Sequence, residues 1–76
     1  MEEWEVRVKV YGWDNWTGES EYLGTKWIKV SRAPFYIQCK SFAKSCMKEG
    51  WTDYEVVFKV GEDEYDSFQF AKEELE

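Results

Sequence analysis

PFYIQCKSFAKSCMKEG, residues 34–50, decides how the rest of the chain is read. Phe35, Cys39, Phe42, Ala43 and Cys46 follow one another at spacings of four, three, one and three, the single apolar stripe of an amphipathic helix. Pro34 suits the first helical turn, Ser31 is a candidate cap upstream, and Gly50 reads as the C′ glycine that ends the helix. The predicted helix covers about residues 34–49. Lys40, Lys44 and Lys48, each four apart, form its opposite face.

Outward from this helix the period changes to two. Trp4, Val6, Val8 and Val10 alternate with Glu5, Arg7 and Lys9, as in a half-buried strand. Gly12, Asp14, Asn15 and Gly18 mark a reversal. A second strand follows over about residues 22–30, where Leu23, Trp27, Ile28 and Val30 break strict alternation. A bulge near Trp27, or apolar contact on both faces, accounts for that break. Downstream, Tyr54, Val56, Phe58 and Val60 predict a third strand, and Gly61-Glu62-Asp63 suits a hairpin turn. The last stretch, DSFQFAKEELE, is open to two readings. Phe68 and Phe70 alternate as in a strand, whereas Asp66 with Gln69 three residues later resembles a capping box. The preferred reading is a strand over about residues 65–70 with a short helical or frayed tail. The order is then ββαββ: an α+β two-layer fold, a mostly antiparallel four-stranded sheet with one amphipathic helix on one face.

Seventy-six residues make one domain, 1–76. A chain this short buries only about 60% of its unfolded surface. Fifteen aromatic residues compensate, each able to bury roughly 150–250 Å². No apolar run approaches the roughly 20 residues of a membrane span. The acidic start, MEEWEV, lacks the layout of a signal peptide, so the expected location is cytoplasmic. Cys39 and Cys46, seven residues apart on a helix, are separated by about 10 Å along its axis. A disulfide needs Cα atoms within about 7 Å, so they are expected to be small, unbridged core residues.

The composition argues against catalysis. With no histidine, the commonest general acid–base group is missing, and so is the usual partner of a serine or cysteine nucleophile. Two cysteines without histidine cannot close a zinc site from one chain. The glycines at 12, 18, 24, 50 and 61 are scattered turn formers rather than a phosphate loop. A paired-carboxylate glycosidase needs a cleft that so short a chain has little volume to build. The expectation is a protein that is not an enzyme and carries no cofactor and no metal.

Charge is segregated along the chain. Residues 1–21 hold six acids and two bases; residues 22–48 hold six bases and no acid; residues 49–76 hold ten acids and two bases. Glu62, Asp63, Glu64 and Asp66 can be read as edge solvation, since charge on strands discourages edge pairing. They can also be read as an acidic strip whose spacing imitates phosphates and competes for a nucleic-acid-binding protein's basic groove. Direct nucleic-acid binding is disfavoured, because the acidic remainder of the domain would repel the polymer.

The aromatics outnumber the places in such a core. Tyr11, Trp13, Trp16, Tyr22, Trp27, Tyr36 and Trp51 are surplus to it. A packed hairpin cluster of Tyr11, Trp13 and Tyr22 accounts for some of them. Tryptophan and tyrosine are also the residues enriched at binding hot spots. Trp13, Trp16, Tyr22 and Trp27, with the four acids at 62, 63, 64 and 66, are therefore the candidate partner-binding residues. The expected function is a non-catalytic protein-binding module. Phage and mobile-element inhibitors of host enzymes or defence complexes, anti-CRISPR proteins included, are proteins of this type; no motif carries the analogy. Two alternatives stay open: a self-associating homodimeric module, and a small sugar- or nucleic-acid-binding domain that stacks on its rings.

Overall fold

The structure is a computed structural model. It describes the backbone of residues 4–30, 35–60 and 64–76, with the side chains of 5–30, 35–59 and 66–76. The elements are β1 (Trp4–Trp13), β2 (Ser20–Val30), α1 (Phe35–Ser45), β3 (Asp53–Val60), β4 (Glu64–Ala71) and α2 (Lys72–Leu75). The strands form one antiparallel sheet in the order β2-β1-β3-β4, so β2 and β4 are its edges. The expected α+β architecture holds. A second, short helix ends the chain, and the buried Leu75 anchors it.

Alternation along β1 sets the two faces. Val6, Val8, Val10 and Gly12 face the helix together with Tyr54, Val56 and Phe58 of β3 and with Ile28 of β2. Cys39 and Ala43 of α1 close over them. At the β3–β4 end the layer between sheet and helix is aromatic. Phe58 and Phe68 stack with centroids 5.1 Å apart, and Phe35 meets Phe58 edge-on at 4.3 Å. Tyr36, surplus in the sequence reading, packs edge-on against Phe68 at 5.1 Å.

The chain differs from its sequence reading in three places. The first is the end of α1, which stops at Ser45 rather than near residue 49. Cys46 N–H is shared between the carbonyls of Phe42 and Ala43, and Met47 N–H reaches Lys44, so the last turn tightens. Beyond it the buried Tyr54 hydroxyl accepts the Lys48 N–H at 3.2 Å, with the carbonyls of Lys48 and Trp51 at 3.1 and 3.2 Å as its own acceptors. That hydroxyl holds the chain off the helical path. Gly50, at φ +93°, belongs to the following turn and is not the helix cap, and Lys48 leaves the lysine stripe to pair with Glu21 at 2.8 Å. Pro34 and Ser31 lie outside the described residues.

The second is the bulge. Val10 pairs with Gly24 and Tyr11 with Tyr22, so the extra residue is Leu23, not a residue near Trp27. Around Trp27 the alternation is regular and both faces are apolar: Trp27 opposes Arg7 on the uncovered face, while Ile28 opposes Val6 beneath the helix. The third is Gly12. It lies within β1, opposite Glu21, and a Cβ there would sit 2.8 Å from Leu23 Cδ1. The glycine admits the bulged leucine and forms no part of the turn.

Candidate functional site

Among the described residues, helix covers one face of the sheet. By register, the other face carries Trp27 beside Arg7, then Thr25 beside Lys9 and Val57. Next comes a row of Tyr22, Tyr11, Glu55 and Gln69, and then Trp13 beside Asp53. Trp27 is 62% exposed and Tyr22 52% exposed. The Arg7 guanidinium lies 5.9 Å from the centre of the Trp27 ring, within cation–π range. The rings of Tyr11 and Tyr22 are 5.5 Å apart and tilted, so the expected hairpin cluster forms in part. Glu55 accepts a hydrogen bond from Gln69 Nε2 at 3.3 Å. A shallow cleft of about 470 Å³ opens between Tyr11, Trp13, Gly18, Ser20 and Glu55.

The β1–β2 connection, residues 14–19, presents Trp16 beyond this face. Asp14 Oδ1 accepts the Trp16 N–H at 2.8 Å, and the Asp14 carbonyl accepts the Gly18 N–H at 2.7 Å. Gly18 at φ +74° supplies the left-handed residue that closes the turn. Asp14 N–H returns to the Glu19 carbonyl at 2.9 Å. The loop is also tied to the start of β3, far along the chain. Asn15 N–H donates to Thr52 Oγ1 at 3.1 Å, Asn15 Nδ2 donates to Asp53, and Trp13 Nε1 donates to Asn15 Oδ1 at 3.1 Å. On this braced loop Trp16 is 91% exposed.

The structure thus gathers Trp13, Tyr22 and Trp27 on one face with Trp16 at its end. It does not bring Asp66 to them. Asp66 is exposed on the far edge strand, and its register opposite Phe58 assigns it to the helix-covered side. Its Oδ1 accepts the Ser67 N–H at 2.8 Å. The backbone of Glu64 pairs with Val60, and its side chain, like Glu62 and Asp63, lies outside the described residues. Asp66, the one acid of the sequence-derived site whose side chain is described, lies on the edge strand opposite the one that carries Tyr22 and Trp27.

Arg7, Tyr11, Glu55 and Val57 join the face although the sequence reading did not nominate them. The parity of Arg7, Tyr11 and Trp13 carries the signal within β1. The β3 partners depend on a pairing that no local pattern specifies. Among the described residues no group of three cysteine, aspartate or glutamate side chains is placed to hold a metal ion. No described helix is long and apolar enough to cross a membrane. Compared with protein-family models, with curated proteins and with solved structures, the chain gives no significant match.

Proposed function

We propose that this chain is a non-catalytic protein-binding module acting in the cytoplasm, which seats its uncovered sheet face and hairpin tip on a partner protein. The type that fits is the small phage or mobile-element inhibitor that blocks a host enzyme or defence complex, as anti-CRISPR proteins do. The carrying observation is Trp16, 91% exposed on a loop braced by hydrogen bonds to Asp14, Thr52 and Asp53. An indole held in water contributes nothing to folding. Because the backbone that carries it is already braced, the loop has little left to order when a partner covers the ring. Trp27 and Tyr22 extend the same contact surface. A nucleic-acid-binding host protein is one partner class that suits an acidic chain of net charge −6. The separation of Asp66 from the rings favours aromatic contact over phosphate mimicry as the main source of affinity.

Affinity capture from a host lysate, with bound proteins identified by mass spectrometry, tests this reading. The unmodified chain and the Glu62→Gln/Glu64→Gln/Asp66→Asn variant should retain the same partner, and Trp16→Ala should lose it. Loss in the triple variant, with steep salt dependence, would transfer the contact to the acidic strip. A homodimer in sedimentation that Trp27→Ala dissociates would replace the foreign partner with a second copy.

A further inference from the structure

We infer that the outer edge of β2 is a docking site for an extended acidic strand of a partner protein. The inference goes beyond the reading of the uncovered face and stands on the edge alone. Gln38 Nε2 of α1 donates to the Lys29 carbonyl at 3.2 Å, so that carbonyl points away from β1. In an antiparallel strand the N–H and C=O of one residue point to the same side, and the side alternates from residue to residue. Register is unbroken from Lys29 to Thr25, so Trp27 and Thr25 also direct both backbone groups outward. The inner strand agrees. The odd residues of β1 turn toward β3, as Trp13 does, whose carbonyl accepts the Thr52 N–H at 3.2 Å. Among the described residues nothing bonds the outward groups of Thr25 and Trp27. Such an edge is a template for another strand.

Beside this edge, between β2 and α1, lies a groove of about 520 Å³. Ile37, 59% exposed, and Phe42 form its apolar wall. A strand added to β2 would place every second side chain in this groove and the others beside Trp27 on the uncovered face. The surrounding charge selects the sign of the second set. On the uncovered face Arg7 lies beside Trp27, and Lys29 is exposed and only loosely paired with Glu5 at 4.0 Å; Lys26, whose Nζ lies 5.8 Å from the Phe42 ring centre, adds positive charge on the groove side. No acid occurs between residues 22 and 48. Two β2 edges brought together would set lysine near lysine, which disfavours self-pairing. An alternating apolar–acidic strand satisfies both groove and rim. Gln38 obstructs little, because one hydrogen bond holds its amide and its Oε1 is buried without a partner.

The test is amide NMR of the ¹⁵N-labelled full chain titrated with acetyl-Val-Glu-Val-Glu-Val-Glu-amide and with its lysine counterpart. The acidic peptide should shift the Thr25 and Trp27 amides and slow their exchange, and the basic peptide should not. Thr25→Pro removes one outward N–H while sparing the β1 ladder, and should weaken binding about three- to tenfold. Lys26→Glu/Lys29→Glu, a surface change that leaves the core alone, should weaken it by about tenfold. Four results would each overturn the inference: shifts confined to β4 or to Tyr11 and Trp13, equal binding of both peptides, no shift at millimolar peptide, or concentration-dependent protection of Thr25 and Trp27 without peptide. The last would identify a second copy as the occupant.

Discussion

Beneath the helix, Phe58, Phe68 and Phe35 touch ring to ring and Phe70 is fully enclosed; on the other side of the same sheet, Tyr22 and Trp27 remain half or more exposed. The residue types are similar and their energetic roles differ. Rings under α1 exchange water for protein on folding. Rings on the uncovered face stay in contact with water. Aromatic content therefore says how much ring surface the chain must place, and strand register says which part of it folding uses.

The sharpest break between the faces should appear in stability. Phe70→Ala should cost about 3–5 kcal/mol, whereas Trp27→Ala should stay within about 1 kcal/mol of the unmodified chain in denaturant titration. Equal losses would mean that the uncovered face is part of the core. Binding should show the reverse pattern. Trp16→Ala should change stability by no more than about 0.5 kcal/mol yet weaken partner binding by about 2 kcal/mol or more, measured by calorimetry.

Tyr54→Phe sharpens the comparison from the covered side. It removes only the hydroxyl that binds the backbone of Lys48 and Trp51, and should cost about 1–2 kcal/mol with partner affinity unchanged. The smallest effect at neutral pH concerns Cys39, whose thiol burial pushes up from 9.0 to about 12. Below pH 9 the thiol is protonated whether the chain is folded or unfolded and contributes no slope. Between pH 9 and about 12 the unfolded chain loses this proton and the folded chain keeps it, so stability falls as pH rises. Cys39→Ala should flatten that part of the stability–pH curve. A thiol reagent should modify the half-buried Cys46 first and reach Cys39 only with denaturant.

The local signals were legible where one residue pattern admits one structure. Val6, Val8 and Val10, the stripe of Phe35, Cys39 and Ala43, and the alternation of Tyr54, Val56 and Phe58 all became core or packed against it. Signals that needed a distant partner were misplaced. Gly12 looks like a turn residue, and only Leu23 packed against it makes it a strand residue. Gly50 looks like a helix cap, and only the Tyr54 hydroxyl explains why α1 ends earlier. In the candidate site, the exposed position of Trp16 followed from its turn neighbours. The separation of Asp66 from the rings did not, because it depends on which strands are edges.

Periodicity and turn chemistry are properties of neighbouring residues, so the sequence alone determined the main element types, their order and the surplus of aromatics. Strand order and register are set by contacts between residues far apart in the chain. Only the tertiary structure decided that β2 and β4 are opposite edges, that the bulge falls at Leu23, and that Trp27 and Tyr22 face away from the helix. A shift of one residue in a strand turns every side chain to the other face, and no local pattern encodes that choice for a strand apolar on both sides.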